Sequence, residues 1–205
     1  MYQPSQFRST DVQHALAVMR AHPLASLIST DDQGFPLVSH LPLHVVARDD
    51  DLVLLGHCAR GNPHWKALEA RPQALVTFMG PSAYLSPSVY PDLTRVPSWN
   101  YLAVHCRVEA RLIDETDDKD GLLKALIGDH EPAYAEQWRG LDADYTRKML
   151  NAIVAFELRV VDWQCTLKLN QHRPESHAAL HAAYRSGNAD AQALAQWMKK
   201  LGMVV

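Results

Sequence analysis

The fold is decided by residues 24–55, which read LASLISTDDQGFPLVSHLPLHVVARDDDLVLL. Apolar residues alternate or cluster over 24–30, 35–47 and 52–55, which predicts three strands. Acidic residues and Gly34 between them are typical of turns. Pro36 and Pro42 cannot donate to a ladder, so the middle strand is expected to bend or to lie at an edge. Two hairpins in succession favour an antiparallel sheet.

The remaining chain continues this mixture of strands and helices. Strands are predicted at 73–79, 99–114, 153–161 and 166–169, and helices at 10–22, 63–71, 116–127, 132–151, 175–185 and 189–201. Periodicity disappears between residues 80 and 99, and such a long loop in a compact domain is usually functional. The pattern fits a β-barrel or sandwich with added helices. It lacks the glycine motifs of dinucleotide- and P-loop-binding folds.

Composition limits the class of protein. The 205 residues are 47% hydrophobic and 21% charged, which is typical of a globular chain of about one domain. We find no apolar run of about 18 residues and no leader-like N-terminus, so we expect no membrane span and a cytoplasmic location. The net charge of −3 shows no basic excess for gripping DNA. The separated Cys58, Cys106 and Cys165 are expected to be buried thiols.

The densest group of chemistry-bearing residues is residues 57–64, His-Cys-Ala-Arg-Gly-Asn-Pro-His. A strand is expected to enter a turn here, followed by a helix that Asn62 caps. Helix N-termini favour anions, and Arg60 carries a fork of donors that matches a phosphate. The segment therefore indicates a phosphate site, with a plain helix cap and a surface arginine as the alternative.

Two other segments have side chains suited to a flat heterocycle. Trp99 and Tyr101 share one face of a strand, while Asn100 points the other way and can bond to a ring carbonyl or N–H group. Residues 168–173 provide two cations and two amides for an anion or a ring edge. Core packing explains the first segment equally well, and a solvated strand end explains the second.

Histidine pairs and the last two helices give weaker signals. His40 and His44, like His177 and His181, have spacings that can share a metal, but no third ligand accompanies them, and we predict no metal site. The last two helices resemble a helix-turn-helix superficially. A recognition helix contacts bases from its N-terminal part, where this one offers only Asp190 and Gln192, so base reading is not indicated.

The same segments resemble a known family. The matching motifs are MYxPxxF at 1–7, SHLP at 39–42, GHxARxNP at 56–63, GPxxYLSPSxY at 80–90, VPxWNYxxVH at 96–105 and KLxQxR at 168–173. In this order they resemble the PaiB-type family of FMN-binding transcriptional regulators. The chain departs from the family pattern at Asn170, where a serine is expected, and at His172, where an asparagine is expected.

The resemblance implies a fold and a cofactor. The fold is mainly β with added helices: a six-stranded antiparallel split β-barrel over residues 1–170 and a helical extension over 171–205. It further implies a homodimer with FMN at the subunit interface. The residues implied to bind FMN are Ser39, His40, Arg60, Asn62, Trp99, Asn100, Lys168, Gln171 and Arg173. Arg60 and either Lys168 or Arg173 would meet the phosphate.

Three functions remain open. The first is a flavin-binding regulator that acts through a dimer surface, on DNA or on a regulatory protein. The second is an FMN-dependent oxidoreductase, such as a flavin reductase or a pyridoxamine-phosphate-oxidase-like enzyme with NAD(P)H as donor, in which flavin would carry the electron chemistry. The third is a haem-binding split barrel that uses one of the 11 histidines.

Overall fold

The structure, a computed structural model, describes residues 1–48, 51–92 and 94–205. Most of the acidic turn predicted at 49–51 lies outside these residues. The described strands are β1 (Arg8–Ser9), β2 (Leu24–Thr30), β3 (Pro36–Pro42), β4 (His44–Arg48), β5 (Asp51–Ala59), β6 (Gln73–Leu85), β7 (Ser98–Ile113) and β8 (Ile153–Lys168). The helices are α1 (Val12–Ala21), α2 (His64–Ala70), α3 (Thr116–His130), α4 (Ala135–Arg139), α5 (Ala143–Asn151), α6 (His177–Arg185) and α7 (Ala189–Lys200).

The strands form one sheet in the order β3-β2-β6-β7-β8-β5-β4, with β1 paired to β8. The pairs β1–β8, β2–β3, β2–β6, β4–β5 and β5–β8 are antiparallel. The first hairpin runs from Leu24 opposite Pro42 to Thr30 opposite Pro36. β3 lies at an edge, as the two prolines predict. The expected class, mainly antiparallel β with added helices, is confirmed.

Four predicted boundaries were wrong. The helix expected over 132–151 is divided into α4 and α5, with residues 140–142 between them. The strand expected over 35–47 is divided at Leu43, whose backbone N–H donates to Pro23 O at 3.0 Å. β6 continues to residue 85, so the expected loop over 80–99 shortens to 86–97. β8 is one strand where two were expected. The described residues contain eight strands rather than six, because β1 adds a two-residue pairing and the Leu43 break divides one strand.

The chain forms two compact units. The first unit comprises Met1–Ala21, Met79–Val104 and Gln164–Val205, and the second comprises His22–Phe78 and His105–Trp163. β6, β7 and β8 each contribute to both. In the first unit, α6 and α7 bury Leu180, Tyr184, Leu194 and Met198. The domain boundary expected at residue 170 stays a prediction.

The core of the second unit packs closely against Gly56. A Cβ on Gly56 of β5 would stand 3.1 Å from Phe156 and would overlap the Leu43 side chain. Both side chains are buried, so the absence of a side chain at 56 lets them fill this space. α3 covers another part of the unit, where Leu122 and Leu126 pack on Ile113 and Ala155.

Cys58, Cys106 and Cys165 are buried thiols, as predicted. Burial raises the pKa of Cys165 to about 12. No helix in the described part of the chain combines the length and apolar character needed to cross a membrane.

Candidate functional site

The corner between β5 and α2 is a hydrogen-bonded turn. Asn62 N donates to Ala59 O at 2.8 Å, and Asn62 Oδ1 accepts from His64 N at 3.0 Å. The predicted cap is therefore formed by Asn62, and α2 begins at His64 because Pro63 fits the residue before the first turn. The cap occupies the first helical N–H group, so that group is not free for an anion.

Behind this corner lies a chain of hydrogen bonds that sequence reasoning missed, buried at His64 and Ser29 and partly buried at Ser39 and Asn62. Asn62 Nδ2 donates to Ser39 Oγ at 3.0 Å, and the same oxygen lies 2.9 Å from His64 Nδ1. His64 Nε2 lies 2.9 Å from Ser29 Oγ, so the ring bridges the two hydroxyls. The His64 ring is fully buried, and burial lowers its pKa, so the neutral form is favoured. We name this chain, from Asn62 through Ser39 and His64 to Ser29, the α2 relay.

Arg60 is held against the backbone at the same corner. Its Nε donates to Asn151 O at 2.9 Å and its Nη2 to Ile153 O at 3.2 Å. The side chain is exposed and has five N–H donors, of which these bonds use two. The guanidinium is therefore oriented, and within the described chain no carboxylate pairs with it at 4.0 Å or less.

His40 lies on β3 next to Ser39 but on the opposite face. Its Nδ1 lies 3.1 Å from Ser26 Oγ on the neighbouring strand, and the ring is exposed. The structure thus separates His40 from the α2 relay. His44 begins β4 and contacts Asp129 of α3. In the ranges that the structure describes, no three histidine, cysteine or acidic residues form a group able to hold a metal.

The first unit holds a second group of candidate residues. Lys168 Nζ donates to Ser98 Oγ at 2.8 Å and stands 5.8 Å from the centre of the Tyr101 ring. Partial burial lowers the pKa of Lys168. Trp99 is 55% exposed and meets Tyr84 edge to face at 6.2 Å. The end of β8 therefore presents an anchored cation, and the start of β7 beside it presents an open aromatic surface.

Asn100 points to the opposite side of β7 and is fully buried. Among the described residues, neither of its amide atoms has a hydrogen-bond partner. The amide lies near the Tyr184 hydroxyl, whose pKa burial raises to about 12, although the two groups do not have the geometry of a formed hydrogen bond. Of the nine predicted site residues, Asn100 has the least access to a ligand.

The side-chain amides of Asn170 and Gln171 hold the chain in place just after β8. Gln171 accepts from Leu169 N at 3.0 Å and donates to Leu167 O, so its side chain fixes the local turn. Asn170 has a φ of 68° and bonds through its side chain to Tyr90 and Ser176. Asparagine tolerates this left-handed conformation better than most residues. That tolerance explains an asparagine at position 170.

The nine predicted residues divide between the two units. Ser39, His40, Arg60 and Asn62 lie in the second unit, and Trp99, Asn100, Lys168, Gln171 and Arg173 lie in the first. Each group contains an anchored cation, Arg60 in one and Lys168 in the other. Trp99 adds an aromatic face. Cationic donors suit a phosphate, and an exposed indole suits a flat ring, so the side chains present fit the chemistry of FMN.

Known proteins resemble this chain in sequence and in fold. Residues 1–162 match the model of the family described as "Putative FMN-binding domain". The "Protease synthase and sporulation protein PAI 2" of Bacillus subtilis is 34% identical over 178 residues, which cover 86% of this chain and 84% of that protein.

Solved structures extend the likeness to the fold. The FAD and heme binding protein from Mycobacterium smegmatis has a TM-score of 0.62 at 24% identity, covering 78% of this chain and 73% of that one. The flavocytochrome Anf3 from Azotobacter vinelandii has a TM-score of 0.63 at 20% identity, covering 79% and 69%. These neighbours share the fold with this chain, while the family match extends from residue 1 to residue 162. The chain is thus a split-barrel member of the FMN-binding domain family, with FMN as its cofactor.

Proposed function

We propose that this protein is an FMN-binding regulator of the PaiB type that acts as a homodimer. The observation that carries the proposal is the relative from Bacillus subtilis, whose name concerns protease synthesis and sporulation. The 34% identity extends over 86% of this chain and 84% of that protein. The likeness therefore extends over most of both chains.

The nine candidate residues are proposed to bind FMN. Arg60 would meet the phosphate with the N–H groups that Asn151 and Ile153 leave free. Lys168 is held by Ser98 and would supply a second positive charge, to the phosphate or to a ring edge. Trp99 would cover the ring. When FMN is bound it supplies electron chemistry, while these side chains bind and orient it.

The dimer is supported by exposed apolar side chains around an open edge. Phe35 and Val38 of the first hairpin are 68% and 48% exposed, and β3 buries none of its residues. An exposed apolar edge strand is a liability unless it is covered. A second copy of the chain would cover it, and a homodimer is what the family resemblance implies.

The experiment begins with the purified protein. We expect a yellow protein that releases FMN on denaturation, identified by mass spectrometry, and a dimer mass by light scattering. A regulator should then bind a promoter fragment in a salt-sensitive way that tolerates excess random DNA. NADH or NADPH could instead bleach the flavin absorbance rapidly, with turnover once an acceptor is added. That result without promoter binding would favour the oxidoreductase over the regulator. A colourless monomer that binds neither FMN nor DNA would refute both.

A further inference from the structure

The face between α6 and α7 carries positive charge that no carboxylate balances. A cavity of about 270 Å³ lies there, lined by His181, Arg185, Gln192, Ala195, Gln196 and Lys199. The α7 members recur at helical spacing, so they share one face of that helix. None of the lining residues is acidic. Arg185 and Lys199 form no ion pair within the described ranges of the chain.

The nearest acidic residue along α7 is directed elsewhere. Asp190 accepts a hydrogen bond from Ser82 N of β6 at 3.2 Å. Lys200, next to Lys199, stands 4.4 Å from the Trp197 ring centre and does not line the cavity. Gln192 donates to Gly187 O at 2.9 Å, which holds the start of α7 against the turn before it. The residues that line the cavity therefore place no carboxylate beside Arg185 and Lys199.

A buried polar atom at the same place lacks a partner. His181 Nε2 is inaccessible to solvent and has no hydrogen-bond partner among the residues described. An unpaired buried nitrogen is costly and therefore needs an explanation. Burial lowers the pKa of His181, and the nearby charges of Lys199 and Arg185 lower it further. An anion in the cavity would offset the effect of those two charges.

We propose that the cavity between α6 and α7 is an oxyanion site for a phosphate group, held by Arg185 and Lys199, with the His181 ring beside it. Arginine presents paired donors that match phosphate oxygens, and lysine adds a point charge. A bound phosphate would favour the imidazolium form of His181. The phosphate could belong to a small phosphorylated molecule or to the backbone of a nucleic acid. The site is independent of the FMN residues.

The test follows the His181 ring by NMR in the full FMN-loaded protein at low ionic strength. Inorganic phosphate should shift the His181 signals and raise the pKa of its ring, whereas sodium chloride at equal ionic strength should not, because screening alone adds no partner. Arg185→Gln or Lys199→Gln should weaken phosphate binding about tenfold or more, as expected for a lost charge-assisted bond. The matched control Lys200→Gln removes the same charge one residue away and should leave binding within about twofold, because an exposed charge outside the site contributes little.

A second titration, with a short DNA duplex, distinguishes the two sources. A duplex that displaces phosphate at His181 would assign the cavity to nucleic-acid backbone, and phosphate binding without such displacement would assign it to a small molecule. Unmoved His181 signals with phosphate would overturn the proposal. The proposal would also fail if Lys200→Gln weakened phosphate binding as much as Lys199→Gln does. Phosphate would then be attracted by the general positive charge of this surface and not bound at a specific site.

Discussion

Lys168 and Ser98 join the end of β8 to the start of β7 through a 2.8 Å hydrogen bond from Nζ to Oγ. The ammonium also stands over the Tyr101 ring. Two contacts on a partly buried lysine restrict its position, so little further ordering is required when an anionic ligand binds. This pre-organisation distinguishes Lys168 from an ordinary surface lysine.

Lys168→Gln is therefore expected to weaken FMN binding by roughly 1.5–3 kcal/mol, the scale of a charge-assisted hydrogen bond. Titration of the apoprotein with FMN, followed by flavin fluorescence, measures the effect. Lys66→Gln is the matched control, because Lys66 also stands over an aromatic ring, 5.5 Å from the Trp65 ring centre, without belonging to the predicted site. Equal losses in both variants would remove Lys168 from the site.

Arg60→Ala should also weaken FMN binding by roughly 1.5–3 kcal/mol. Because Arg60 bonds to Asn151 O and Ile153 O, thermal melting of the apoprotein must be measured beside the affinity. Arg60→Lys keeps the charge but loses the fork, so it should bind FMN with intermediate affinity. An affinity unchanged in Arg60→Ala, with the fold intact, would contradict a role in binding.

The α2 relay predicts that stability depends on pH. The His64 pKa is lower in the folded protein than in the unfolded chain, so the unfolded chain takes up the proton first. The contribution of His64 is complete above the unfolded value, near 6.5, and is lost as the pH falls towards the folded value. Urea midpoints should decrease over that range. They should decrease less in His64→Gln, and an identical pH slope in both proteins would exclude His64.

Gly56→Ala should destabilise the second unit by about 1–3 kcal/mol, the usual cost of overpacking a core. The new Cβ would overlap Leu43 and approach Phe156 at 3.1 Å. Gly61→Ala, in the turn just beyond β5, is the control, since a Cβ there meets nothing within 4 Å. Chemical denaturation of both variants measures the difference. Loss of stability at Gly61 as large as that at Gly56 would contradict the packing argument.

Local signals in the sequence predicted much of the fold. Pro36 and Pro42 indicated an edge strand, and Asn62 indicated a helix cap, because each depends on the chemistry of the residue itself. The strand predicted at 73–79 was too short, because β6 continues through Pro81 to residue 85. Pro81 lies beyond residues 75–77, where β6 pairs with β2, so one side of the strand needs no donor there.

Local signals of this kind could not predict the α2 relay. His64 meets Ser29 and Ser39, which are 35 and 25 positions away along the chain, and only the folded sheet brings them together. The family motifs included Ser39 and Asn62 but not the imidazole between them. Ser98, the partner of Lys168, was missed for the same reason, because 70 positions separate the two residues.

The pairing of β1 with β8 has a consequence for biosynthesis. Gln3 Nε2 donates to Cys165 O at 2.6 Å across 162 positions, and Arg8 and Ser9 pair with Thr166 and Cys165. During synthesis on the ribosome, the segment around Gln3 cannot pair with β8 until translation has passed residue 166. Contacts so distant along the chain slow folding. Nascent chains stalled before β8 should therefore leave this segment accessible to protease, and chains released after it should not.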